Sequence, residues 1–149
     1  MKAGDRIGDI SGVDEAGNRL VLSDLLAKGP LVVFFYPAAM TPGCTKESCH
    51  FRDLAAEFAE LGTSIVGISA DAVERQAEFS AKHTLGFPLI ADTDRAIATA
   101  FGVRRRIGPN KRASFVIGTD GTVLARIDSE FAMNKHADEA LAVLRAARD

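Results

Sequence analysis

The chain has 149 residues, about the length of one domain, with 47% apolar and 26% charged residues, a globular composition. It holds 18 Lys and Arg against 20 Asp and Glu, a formal charge of -2 that argues against a nucleic-acid partner. The longest apolar run, "LVVFFYPAAM", is broken by Pro37 and too short to cross a bilayer. The start, "MKAGDRIGDISG", has no apolar signal core, so the expected compartment is the cytoplasm.

"RLVLSDLL" (Arg19 to Leu26) predicts a short strand running into a short helix. "PLVVFFYP" (Pro30 to Pro37) is a continuous β-branched and aromatic run between prolines, the pattern of a strand buried on both faces. A helix is expected over Pro42 to Leu61. "TSIVGISAD" (Thr63 to Asp71) predicts a second buried strand, and Ala72 to His83 an amphipathic helix. "FPLIAD" reads as a short strand and "DRAIATAFGV" as a helix stopping at Gly102. "ASFVIGTDGTVLARI" (Ala113 to Ile127) predicts a β-hairpin turned by Thr-Asp-Gly, and "NKHADEALAVLRAARD" a closing helix. Strands alternating with helices, then a hairpin and a helix, imply an α/β fold with a central mixed sheet covered on both faces. That order is the order of a thioredoxin-like core. No internal linker interrupts it, so residues 1–149 are expected to form a single domain.

Both cysteines, Cys44 and Cys49, fall in "MTPGCTKESC". Their spacing is too wide for a C-x-x-C pair, and no second pair completes a zinc site. Thr41 is a favoured N-cap and Pro42 a favoured first helical residue, while Gly43 admits a close neighbour. Cys44 is then the third helical residue, where unpaired N–H groups and the positive end of the helix dipole favour a thiolate. It reads as a nucleophile; the alternative is a well-made helix start with Cys44 as a small buried residue. Helical Cα atoms five apart stand about 8.6 Å from each other, beyond the roughly 7 Å a disulfide tolerates. The spacing suits thiols that react in sequence, with an opening step between.

The segment "FFYPAAMTPGCTKESCHFRD" resembles the active-site segment of peroxiredoxins, in particular the peroxiredoxin Q or bacterioferritin-comigratory branch. The motif P-x-x-x-T-x-x-C is present as Pro37, Thr41 and Cys44, and Cys49 completes C-x-x-x-x-C. "GNRLVLSDLL", "FPLIADTDRAIATAFGV" and "KRASFVIGTDGTV" extend the similarity over most of the chain. The resemblance implies a thioredoxin-like fold and thiol-dependent reduction of hydroperoxides. It makes Cys44 the peroxidatic thiolate and Cys49 the resolving thiol. Thr41 would bond the peroxide or the sulfur, Pro37 would shield the thiolate, Arg112 would stabilise the thiolate and leaving oxygen, and Glu47 would support Arg112. It further implies thioredoxin or a similar dithiol donor as reductant, no cofactor, and a monomer or weak dimer. Ala38, Ala39 and Met40 stand where the family usually has polar residues, so an apolar approach to Cys44 is expected, with a preference for organic hydroperoxides.

Rival readings have less behind them. Cys44, Cys49 and His50 do not share a helix face, and His83 and His136 lack a metal-ligand spacing, so no metal site is expected. A disulfide reductase would want C-x-x-C. A redox sensor or chaperone using the same thiols without rapid turnover is the alternative from another class.

Overall fold

The computed structural model describes residues 1–148. A five-stranded sheet runs in the order β5-β4-β3-β6-β7, from Leu89–Ala91 through Ser64–Ser69, Leu31–Phe35 and Ala113–Ile117 to Val123–Asp128. The strand β3 pairs in parallel with β4 and antiparallel with β6, β4 is parallel to β5, and β6 is antiparallel to β7. The sheet is therefore mixed, as expected. A small antiparallel pair, β1 (Ser11–Val13) and β2 (Arg19–Val21), precedes the short helix α1 (Leu22–Leu26).

The period of two along β3 divides the core. Leu31, Val33 and Phe35 point to one face, where they meet Phe115 and the α5 helix (Ala96–Phe101). Val32, Phe34 and Tyr36 point to the other, beneath α2 (Pro42–Asp53), α4 (Val73–His83) and α6 (Met133–Arg148). All five β3 residues are fully buried, which is why this run shows no polar alternation. On the second face Phe51 of α2 stacks on Phe34 with centroids 4.3 Å apart, fixing the helix that bears both cysteines. Helix α5 ends on Gly102, whose φ of 72° reverses the chain as its C-cap.

One boundary differs from expectation. The helix foreseen over Pro42 to Leu61 is two helices, α2 and α3 (Ala55–Glu60), separated at Leu54. Leu54 has φ -97° and ψ 8°, off the helical backbone angles, although its N–H still reaches the His50 carbonyl and its carbonyl the Phe58 N–H, both at 3.1 Å. No Pro or Gly marks the break, so composition gave no warning. Asp149, the last residue of the expected closing helix, lies outside the described residues. No helix among the described residues is long and apolar enough to cross a membrane.

Candidate active site

Thr41 occupies the N-cap position of α2 with extended backbone, and its carbonyl accepts the Thr45 N–H at 2.9 Å. Its side chain does not cap the helix, contrary to expectation. The Thr41 hydroxyl donates instead to the Ala38 carbonyl at 2.7 Å, across a tight turn in which Met40 takes φ 68°. With its proton committed there, Oγ1 keeps its lone pairs for a donor.

Cys44, in the first turn of α2, is fully buried beside Arg112. Arg112 immediately precedes β6, the neighbour of β3 on the side opposite β4. Its Nη2 donates to Cys44 Sγ at 3.4 Å and its Nη1 to Glu47 Oε1 at 2.8 Å. Gly43 makes that approach possible. A Cβ there would stand 3.3 Å from Arg112 Nη2 and 2.8 Å from Met133 Cε. Arg112 is anchored by its backbone, whose N–H donates to Glu130 Oε1 at 3.0 Å, and Glu130 in turn receives Arg105 Nη2 at 2.6 Å. The basic run "RRRIGPNKR" (Arg104 to Arg112) is not one solvated loop: Arg112 is 6% exposed, whereas Arg104 and Arg106 face solvent.

The cluster's electrostatics follow from burial. Burial pushes the Glu47 carboxyl up to about 8, and the Arg112 charge holds it from going higher. Burial pulls the Arg112 guanidinium down, but the Glu47 carboxylate and Cys44 sulfur outweigh it, and the group stands above its ordinary value.

Direct contact therefore joins Cys44, Glu47 and Arg112. Pro37 is half-buried in the turn between β3 and α2, and Cys49 half-buried further along the same helix; both thiols are free. Ala39 does not belong to the mouth of the site. It is 1% exposed and packs in the core beneath α2, with its N–H donating to Asp71 Oδ2 at 2.7 Å. Only Ala38 and Met40 of that stretch keep exposed surface.

His136 is the buried neighbour of this cluster that sequence reasoning passed over. It is fully buried, with Nδ1 2.8 Å from Ser114 Oγ and 3.6 Å from Glu47 Oε2, and Nε2 2.8 Å from the Ser129 carbonyl. Burial first, and the Arg112 charge after it, hold the imidazole below its ordinary value. The available signal was position: His136 falls on the i, i+4, i+8 row with Ala140 and Leu144, an apolar stripe where a histidine needs partners. Among the described residues no group of three or more His, Cys, Asp or Glu is placed to hold a metal ion.

Residues 3–126 match the family described as AhpC/TSA. The chain belongs to that family. The crystal structure of peroxidoxin BcpB from Mycobacterium tuberculosis is 54% identical, with a TM-score of 0.97 over 100% of this chain and 99% of that one. Peroxiredoxin Bcp of Bacillus subtilis is 34% identical over 97% of this chain and 96% of its own length. The bacterioferritin comigratory protein of Xanthomonas campestris is 32% identical, with a TM-score of 0.87 over 94% and 92% of the two chains. The branch is the peroxiredoxin Q or bacterioferritin-comigratory one, and the fold is thioredoxin-like. This peroxiredoxin is accordingly a thiol peroxidase, acting on hydroperoxides with a reductant partner.

Proposed function

We propose that Cys44 is the peroxidatic nucleophile and Cys49 the resolving thiol of a single domain spanning residues 1–149. The observation behind this is the Arg112 Nη2 hydrogen bond to a sulfur placed in the first turn of α2. The Cys44 thiolate attacks one peroxide oxygen, forming the S–O bond as the O–O bond breaks. The sulfur is oxidised to sulfenic acid, the peroxide is reduced, and the departing alkoxide leaves with the electron pair and takes a proton. Arg112, held by Glu47, supplies fixed donors where that negative charge grows. Thr41 accepts the peroxide O–H, its own proton being given to Ala38. Pro37 screens the thiolate from water.

Cys49 then attacks the Cys44 sulfenic acid, releasing water and closing a disulfide after the start of α2 opens. Thioredoxin or a similar dithiol donor, in the cytoplasm, returns both thiols, and the protein works as a monomer. The Xanthomonas relative is described by an alkyl peroxide reduction activity. Alkyl hydroperoxides alongside hydrogen peroxide are the substrates proposed here, with the half-exposed Met40 as the apolar surface near the site. The test is peroxide consumption coupled to thioredoxin, thioredoxin reductase and NADPH. Sustained turnover is expected; oxidation that stops after one equivalent would favour a redox sensor instead.

A further inference from the structure

Glu47 Oε2, His136 Nδ1 and Ser114 Oγ meet where no solvent reaches, next to the Arg112 guanidinium. Hydrogen-bond direction fixes part of the chemistry. The Ser129 carbonyl can only accept, so His136 Nε2 carries a hydrogen. The other ring nitrogen decides the charge. Either Nδ1 accepts the Ser114 hydroxyl and the ring is neutral, or Nδ1 carries a second proton that Ser114 accepts. Glu47 Oε2, buried without a hydrogen-bond partner, faces a lone pair in the first case and a cation in the second. A buried carboxylate facing a lone pair is costly, so near neutrality the pair holds a proton, on Oε2 or on Nδ1. The upward push on Glu47 and the downward push on His136 put it on Oε2.

Arg112 links this proton to the sulfur. One guanidinium serves two acidic groups, Glu47 through Nη1 and Cys44 through Nη2. While the pair keeps its proton, the guanidinium charge is left for the sulfur; once the pair loses it, the carboxylate claims that charge. We propose that His136 is a positioning residue of the peroxidatic centre: with its Nε2–H held by the Ser129 carbonyl, it turns the unprotonated Nδ1 edge toward Glu47, keeps the Glu47–His136 pair protonated and so reserves the Arg112 charge for Cys44. The inference rests on Cys44 being the nucleophile. The other charges around the ring are accounted for: Arg112 opposes a charged imidazole, while Asp128 and Glu130 favour one. Glu130 also pushes Glu47 upward. Lys135, Asp138 and Glu139 of α6 and Lys46 of α2 face solvent, and His50 of α2 is bonded to Asp138 at 2.7 Å.

The test measures alkylation of Cys44 by iodoacetamide in Cys49→Ser protein over about pH 5 to 9, a probe that needs no peroxide. His136→Gln keeps a donor for Ser129 and cannot titrate. Its acidic limb should move up by about half a pH unit or more, roughly a threefold loss of rate at a fixed acidic pH. Ser114→Ala leaves the ring in place and frees the Nδ1 lone pair for the pair's proton, so it should move the limb the other way, down, by less. In Glu47→Gln protein the ring faces a guanidinium with no carboxylate and stays neutral, so adding either change should move the limb no further. Equal shifts with and without Glu47, or no shift in either variant, overturn the proposal. Should His136→Gln fail to fold, the Ser114→Ala measurements decide alone. Oxidation of the wild type by peroxide is read separately: the expected alkylation pattern in a protein that peroxide does not oxidise would uphold this role and remove the catalytic reading.

Discussion

The Arg112 guanidinium stands 3.4 Å from the Cys44 sulfur, 68 residues away along the chain, and it reaches that sulfur from the entry to β6 while the sulfur rides on α2. Arg112→Ala should slow oxidation of Cys44 by roughly a hundredfold or more, the usual loss when a fixed donor to developing charge is removed. Arg104→Ala and Arg106→Ala should be near neutral, since both side chains face solvent. Arg105→Ala should fall between, because Arg105 holds the Glu130 carboxylate that also receives the Arg112 backbone N–H. Stopped-flow oxidation rates across the four variants rank them. Similar losses for all would mean a general field of positive charge and not a placed donor.

The two thiols should divide the labour. Cys44→Ser should abolish turnover, whereas Cys49→Ser should permit one oxidation of Cys44. Mass spectrometry after one equivalent of peroxide should find a sulfenic acid or its trapped adduct on Cys44 in the Cys49→Ser protein. Equal peroxide reactivity at both sulfurs would defeat the assignment.

Glu47 gives the fold a pH dependence of known sign. Its carboxyl is pushed from 4.5 up to about 8, so the folded chain holds that proton more tightly than the unfolded one. Stability from this group therefore falls as pH rises through that interval, by an amount on the order of a few kcal/mol. His136, held below 6.5, works from the other side: the unfolded chain binds its proton more readily, so this contribution falls as pH drops below that value. Urea unfolding across this range should show Glu47→Gln with a flatter slope above pH 6.5. An unchanged slope would mean that Glu47 is ionised throughout the folded state.

Oxidation should loosen α2. Both cysteines sit within one intact helix, where sulfurs five residues apart cannot bond. Hydrogen exchange over residues 41–52 should accelerate in the oxidised protein. Equal protection in the two redox states would indicate a disulfide between two chains.

The turn before α2 depends on a carboxylate just past the end of another strand. Asp71 Oδ2 takes the Ala39 N–H at 2.7 Å and the Ser69 hydroxyl at 2.6 Å. Removing a charged acceptor of this kind costs about 1.5–3 kcal/mol. Asp71→Ala should destabilise the fold by that order and should also lower the rate of Cys44 oxidation, since the turn carries Thr41. A stability loss with an unaltered oxidation rate would show that Thr41 is placed without this bond.

The strands and helices were legible because their signals are local. The β3 run, the hairpin around Thr119 to Gly121 and the stop at Gly102 each follow from side-chain period or turn chemistry within a few residues. Cys44 and Thr41 could be picked out because one helix start holds both, whereas Glu47 came only with the resemblance. Arg112 needed a resemblance, since nothing within its basic run says which arginine turns inward. His136 and Ser114 were invisible for the same reason: their meaning lies in contacts between β6, α6 and α2 that no spacing encodes. The Thr41 hydroxyl and the Leu54 break were misread because each depends on a backbone angle, φ 68° at Met40 and ψ 8° at Leu54, that neither residue type advertises.

The break at Leu54 bears on how such a protein survives its own cycle. If the two sulfurs join as proposed, a helix that comes undone each time needs somewhere for the unravelling to stop. Beyond Leu54 a second helix begins, and Phe58 anchors it in the core. On the proposed cycle the disruption should be confined to about three turns of α2. The sheet beneath should then serve as a fixed template, on which the same dozen residues, 42 to 53, rewind once the thiols are restored.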